Sequence, residues 1–184
     1  MRYLACLLVI GCTSGSGSPG SGSNNLPGGG LQVADQVFAR VTMDGDSDDR
    51  VILTNTKNLC SDLSASIDRR GEHYMMLVFR DVTGTTKTAP TAPGTYTIYP
   101  NTGSEPAKSV VLTAGGFDES CLPNDADSAQ GQSGSVALTL VGDVMTGTYD
   151  VVLNSGGHIT GSFNSTACPG ASAALANFDG HTCQ

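Results

Sequence analysis

The chain has 184 residues, with 17 acidic side chains against 9 Lys plus Arg and a formal net charge of −8. That length suits one domain behind a targeting segment, and the negative sign excludes charge-driven binding of nucleic acid or of an anionic membrane surface. Glycine (24 residues) is over-represented and charged residues, at 14%, are scarce, a profile of turn-rich β structure.

Met1 and Arg2 give a positive start, Tyr3 to Ile10 form an eight-residue apolar run, and Gly11 and Cys12 end it. A membrane-crossing helix needs about 20 apolar residues, so residues 1–11 read as an export signal and not as a span. Val9, Ile10, Gly11 and Cys12 resemble the lipobox of bacterial lipoproteins. The resemblance implies cleavage before Cys12 and lipidation of its thiol, with roughly 0.8 kcal/mol of membrane attachment per buried CH₂. Thr13 stands where an aspartate would, under the enteric sorting rule, retain the protein at the inner membrane, so attachment to the outer membrane is expected. Residues 13–30 hold 7 glycines, 5 serines, 2 prolines and no charge. Such a stretch behaves as a coil with an end-to-end distance of roughly 23 Å. Residues 12–30 therefore read as a lipidated cysteine on a flexible linker, and residues 31–184 as a single β domain.

In that domain the dominant signal is alternation with period two. Strands are expected near residues 36–43, 50–55, 72–81, 94–100 and 107–114, followed by three more within 134–163, divided at Gly142-Asp143 and Ser155-Gly156-Gly157. Val136, Leu138 and Leu140 share one face, as do Met145, Tyr149, Val151 and Leu153, and then Ile159 and Phe163. The predicted fold is all-β: an antiparallel meander of about eight strands closing as a barrel or sandwich. Gly94-Thr95-Tyr96, Gly147-Thr148-Tyr149 and Gly161-Ser162-Phe163 each place glycine two residues before an inward aromatic, leaving room for a neighbouring ring or for a sharp bend.

One short covering helix is expected. Asn58 is placed to cap it, Leu59, Leu63 and Ile67 recur every four residues, and Gly71 stops it. Tyr74 to Phe79, YMMLVF, is apolar at both phases, so that strand should be covered on both faces, with this helix as the outer cover.

With Cys6 removed in the signal and Cys12 reserved for lipid, Cys60, Cys121, Cys168 and Cys183 remain, an even set in an oxidising compartment, and two disulfides are expected. Zinc is disfavoured because no close ligand pair occurs. A strict up-and-down meander puts Cys60 and Cys168 at one end and Cys121 at the other, which favours Cys60–Cys168 with Cys121–Cys183. One crossover would invert that parity, and a local Cys168–Cys183 loop is the rival.

Asp44, Asp46 and Asp48 in MDGDSDDR are calcium candidates, since alternate carboxylates in a turn supply the oxygen ligands calcium prefers. The fit to a calcium loop is partial and a solvated acidic hairpin is the preferred reading. Asp118, Glu119, Asp125 and Asp127 form a second, weaker acidic stretch. His73, His158 and His181 lie near no nucleophile motif, and each reads as a surface or edge residue. No catalytic residue and no cofactor beyond calcium is selected.

The lipobox, the linker, the NLC segment at Asn58 to Cys60, PGTY at Pro93 to Tyr96, the lone Cys121 before SGSV, then GTYDV and ITGSF followed by Cys168 together resemble a group of bacterial β-rich lipoproteins with no established activity. The resemblance implies a shared architecture and an envelope location and transfers no active site. The expected function is a lipid-anchored, non-enzymatic module at the cell envelope. It would bind an envelope or extracellular partner through loops at one end of the β unit, with its lipid as the only membrane contact. The first alternative is a lipocalin-like carrier of a small apolar ligand, against which the bulky inward side chains predict a filled interior. The second is a hydrolase, which a cleft gathering histidine and carboxylates would favour.

Overall fold

The alternating segments fold, in a computed structural model that describes residues 26–27, 30–176 and 180–184, into a closed eight-stranded barrel with extra short strands and a small outer cap. The proposed signal, Cys12 and all of the linker except Leu26, Pro27 and Gly30 lie outside the described residues. Among the described residues no helix is long and apolar enough to cross a membrane.

In chain order the elements are β1 (Asp35–Met43), β2 (Asp46–Thr54), α1 (Leu59–Ser64), β3 (Ile67–Asp68), β4 (His73–Thr83), β5 (Thr86–Thr88) and β6 (Gly94–Ile98). They continue with β7 (Lys108–Gly116), β8 (Ala129–Leu140), β9 (Val144–Leu153), β10 (His158–Ala167), α2 (Ser172–Ala176) and β11 (Thr182–Cys183). The eight long strands are those expected from alternation. The ring runs β2-β1-β10-β9-β8-β6-β7-β4 and closes through β4 on β2, with β5 on the edge of β4.

The meander breaks at one step. β7 lies parallel to β6 and returns beside β4. In an even ring one parallel step forces a second, which is the β1–β10 seam, where Val37 faces Thr166 and Phe38 faces Ala167. Because β7 and β2 both run antiparallel to β4, they end at the same end of the barrel. Cys121 after β7 therefore lies at the end that carries α1, not at the opposite end.

Alternation puts Phe38, Val51, Leu53, Leu77, Phe79, Tyr96 and Phe163 into one interior cluster, with Tyr96, Phe79 and Phe163 among its largest fully enclosed side chains. The glycine–aromatic motifs interlock: Gly161 lies opposite Tyr149, and Gly147 opposite Phe163. Each ring covers the other strand's glycine, and a methyl on Gly147 would stand 2.7 Å from Phe163 Cζ. Gly94 faces Leu138 and is covered by the Lys108 side chain at 3.4 Å. Leu140, expected inward, is exposed, because the β8–β9 register shifts between Leu138 and Leu140.

Both barrel mouths are closed. At one, the Arg40 guanidinium makes two 2.9 Å bonds to the wholly buried Asp49. There too the Tyr96 hydroxyl donates to Asp81 at 2.9 Å, with Lys108 3.1 Å from the same carboxylate. At the other, buried Leu31 joins the interior cluster, and so does Leu26, a residue of the stretch read as linker.

The outer face of β1, β2 and β4 carries a second apolar cluster, in which Val37, Val41 and Ile52 meet Leu59 of α1 and Leu175 of α2. Met76 and Tyr74 pack against it while Met75 and Leu77 enter the barrel, so β4 is covered on both faces as its sequence requires. The helix is shorter than expected. Asn58 sits in the left-handed region (φ 66) and makes no side-chain cap bond; instead Asp35 Oδ2 accepts the Leu59 amide at 2.9 Å. Ser66 (φ 52) then ends the helical path, and Ile67-Asp68 pairs in parallel with Thr182-Cys183. A four-residue apolar spacing at Ile67 thus serves a strand.

Disulfides join Cys60 to Cys168 and Cys121 to Cys183. The pairs are those the parity reasoning favoured, though its premise of a strict meander does not hold. β10 reaches the cap because its last residues lie level with Val37 and Phe38 near the start of β1, and the Cys168 amide donates to the Phe38 carbonyl at 2.7 Å.

Candidate functional site

Large side chains such as Phe79, Tyr96 and Phe163 occupy the barrel interior, and a cavity lies outside its wall. It measures about 380 Å³ and sits between the outer face of β2 and β4 and the cap formed by α1, β3 and the C-terminal tail. That size is at the low end of small-molecule sites. The strand wall supplies Ile52, Tyr74 and Met76, and the cap supplies Leu59, Leu63 and Ile67. These are the residues that alternation turned outward on β2 and β4, so the cavity exists because the cap spans the wall without filling the space beneath it. The loop after β7 closes one side with Phe117 and Cys121, and the Tyr74 and Phe117 ring centroids are 5.7 Å apart.

Three carboxylates and one imidazole also line this space: Asp62, Asp68, Glu72 and His181. Asp62, buried on α1, takes two bonds from Arg69, Nη2 to Oδ1 at 2.6 Å and Nε to Oδ2 at 2.8 Å. Asp68 Oδ1 lies 2.8 Å from His181 Nδ1. Glu72, between the cap and β4, is only 7% exposed. Its Oε1 accepts the Thr54 hydroxyl at 2.7 Å, and among the described residues no cationic side chain forms an ion pair with it. Burial holds Glu72 above the usual carboxylate range; the Thr54 hydroxyl and the Arg69 backbone amide pull it back, and the Asp68 and Asp62 charges push it up. Burial, then the charges of Glu72 and Asp68, raise the Tyr74 hydroxyl in the same way.

His181 is therefore not a surface residue: its side chain is 5% exposed, buried on Asp68. His158 matches the surface expectation, paired with exposed Asp150 at 2.7 Å, and half-buried His73 stands 3.9 Å from Asp127. Histidine and carboxylates do converge in one cleft, the arrangement that favours a hydrolase. Among the residues lining it no serine or threonine and no free thiol offers a nucleophile: Cys121 is held in a disulfide, and burial raises the Tyr74 hydroxyl.

The calcium candidates line a separate pocket together with Arg50, Arg80 and Lys87, and Asp46 and Asp48 are already engaged there. Asp44 (φ 53) turns the β1–β2 hairpin. Asp46 Oδ1 accepts the Lys87 amide at 3.0 Å. Asp48 pairs with Arg50 at 2.8 Å and with Arg80 at 3.5 Å. Arg80 and Lys87 also reach Glu105, at 3.5 and 2.7 Å; burial alone would raise that carboxyl, but Lys87, Ser109 and Arg80 outweigh it and hold it below its ordinary value. A carboxylate already neutralised by two guanidinium groups is a poor calcium ligand. Among the described residues no group of three or more His, Cys, Asp or Glu is arranged to hold a metal ion. In the second acidic stretch, Asp118 Oδ1 accepts the Ser120 and Leu122 amides at 2.7 and 3.0 Å, and Asp127 accepts from the Asn124 side chain at 2.7 Å, so both shape the loop.

Of the residues that line the cavity, Asp68, Glu72 and Phe117 were not singled out by the sequence, Tyr74 was placed only as a strand residue, and His181 was read as a surface or edge residue. The one local signal is Glu72 standing between the helix stop at Gly71 and the doubly apolar YMMLVF run. Comparison of the chain with models of known protein families, with curated proteins and with solved structures finds no match.

Proposed function

We propose that the chain is a lipid-anchored module of the cell envelope, held by Cys12, that binds a small, mainly apolar ligand in the cavity beneath its disulfide-tied cap. The observation that carries this reading is the cavity of about 380 Å³ lined by side chains such as Ile52, Leu63, Met76 and Phe117, beside a barrel interior already occupied by Phe79, Tyr96 and Phe163. A lipocalin-like carrier holds its ligand inside; here the apolar space lies outside the wall. The lipobox resemblance and the four cysteines joined as two disulfides support an oxidising envelope compartment.

The test is titration of the intact chain with the neutral fluorescent probe N-phenyl-1-naphthylamine. Saturable binding of one probe per chain is expected, and Leu63→Trp, which fills the space, should abolish it without lowering the melting temperature by more than a few degrees. Absence of saturable binding, or equal binding by Leu63→Trp and by Met76→Phe as a second filling variant, refutes the reading.

The Asp68–His181 pair favours one second reading, a hydrolase in which His181, oriented by Asp68, activates a water. Turnover of a panel of esters and amides that His181→Gln abolishes would establish it.

A further inference from the structure

Resting on the cavity reading, we infer that the ligand carries a cationic amine as its polar end, seated against Glu72 and the Tyr74 and Phe117 rings, with its apolar body against Ile52, Leu63 and Met76. Of the three carboxylates around the cavity, Asp62 is committed to Arg69, the one permanently charged partner, and Asp68 to His181. Glu72 alone has no ion-pair partner among the described residues while it is more than nine-tenths buried. Its contacts are a neutral hydroxyl and a backbone amide. A buried carboxylate is costly unless paired, and burial accordingly holds this one above its ordinary range. Arg69 feels the Glu72 charge but is bonded to Asp62, so a ligand ammonium would supply the direct countercharge.

The aromatic pair points the same way. The faces of Tyr and Phe rings attract cations, most strongly in desolvated sites, and both rings line the space that Glu72 lines. An anionic head would meet three carboxylates that line the same space, and like charges in a partly dry site repel. A neutral alcohol would donate one hydrogen bond to Glu72 and gain nothing from the rings. The cavity is therefore complementary to an amphiphilic amine, and against an alkanoate the discrimination is built from repulsion as well as attraction.

The experiment compares octylamine, 1-octanol and octanoate by calorimetric titration of the intact chain near neutral pH. The three share a chain and differ in head charge. Octylamine should bind at least tenfold more tightly than octanol, and octanoate should bind most weakly. Glu72→Gln keeps an acceptor for the Thr54 hydroxyl and should collapse the amine-over-alcohol preference toward one; Phe117→Leu should reduce it in part. Equal affinities for amine and alcohol, a preference for octanoate, or an unchanged preference in a Glu72→Gln protein that melts like the parent overturns the amine assignment while leaving the cavity reading standing. If none of the three, nor the neutral naphthylamine probe, binds, both fall together.

Discussion

Replacing Gly161 with alanine tests the interlocked glycine–aromatic packing directly. A methyl at Gly161 would stand 3.0 Å from Tyr149 Cε1 and nearer still to Cζ and the hydroxyl, against an ordinary carbon–carbon contact of about 3.5–4.0 Å. Tyr149 is buried, so its ring has nowhere to retreat without displacing interior neighbours. Overpacking of this kind costs about 1–3 kcal/mol, and for a domain of this size that lowers Tm by about 2–12 °C. Gly142→Ala is the control, since a methyl there meets nothing within 4 Å; its melting should stay within about 0.5 kcal/mol of the parent. Because the three atoms nearest a methyl at Gly161 all belong to Tyr149, Tyr149→Leu supplies a double-mutant cycle. The cost of Gly161→Ala should shrink by more than about 0.5 kcal/mol in the Tyr149→Leu background. Thermal denaturation followed by far-ultraviolet circular dichroism reads all four proteins. A Gly161→Ala protein that melts with the Gly142→Ala control, or a cost independent of residue 149, would refute the reasoning.

Four further outcomes follow. Cys12→Ser should release the protein from membrane fractions, and continued co-sedimentation with membranes would defeat the anchor. At the closed mouth, Arg40→Ala should cost more than Asp49→Ala although Arg40 is the exposed partner: the first strands a wholly buried carboxylate, about 3–5 kcal/mol, whereas the second frees a half-exposed guanidinium to water at about 1.5–3 kcal/mol; urea titrations giving the reverse order contradict this. Folded Glu72 keeps its proton to higher pH than it does unfolded, so between the two values the folded state binds more protons and stability declines as pH rises; with Asp62, Asp68 and Arg69 still present, Glu72→Gln should remove that decline in melting temperature above about pH 4.5, and an unchanged pH profile would count against it. Opening the Cys121–Cys183 bond by a Cys121→Ser, Cys183→Ser double substitution should loosen the tail and abolish probe binding, while a loop of 62 residues predicts a loss of about 4 kcal/mol in the chain-entropy model; intact binding would show that the tail does not close the cavity.

The barrel was legible because one face of each strand is dry: Met145, Tyr149, Val151 and Leu153 alternate with exposed residues as an interior demands. The features that were not legible depend on pairing at a distance. Nothing in residues 99–107 distinguishes a hairpin from the crossover that sets β7 parallel to β6, since both connections use turn residues. β8 starts at Ala129, ahead of the expected start, because its polar first half is carried through a register shift between Gly131 and Ser133. Gly134, at φ 117, keeps the backbone of β9 close where any side chain would strike the Asp150 carbonyl. Ile67 fitted a helical spacing and lost to pairing with Thr182, a residue more than a hundred positions away. The cavity is less legible still. Glu72, Phe117 and His181 are distant in sequence and acquire meaning only when the cap brings them around one space.

The cap links the cavity to the envelope location proposed above. Its parts are a six-residue helix, a five-residue helix and two strands of two residues, each far below the length at which such elements hold themselves together in water. Their shared apolar cluster against Val37, Val41 and Ile52 is small, and beneath it sit an ion pair, an imidazole–carboxylate pair and a lone carboxylate whose burial works against closure. Two disulfides, one from α1 to the end of β10 and one from the tail to the loop after β7, fasten both sides of this layer. Cross-links of this span contribute a few kcal/mol each by restricting the open chain, enough to offset one desolvated acid. A protein that keeps a buried carboxylate without a direct ion-pair partner beside an apolar hollow gains from fastening the cover by some means besides packing. Here the means is thiol oxidation, which is available in the envelope and not in a reducing cytoplasm. On the proposed envelope reading, the export-signal resemblance and the cross-links that fasten the cap would serve one physical requirement.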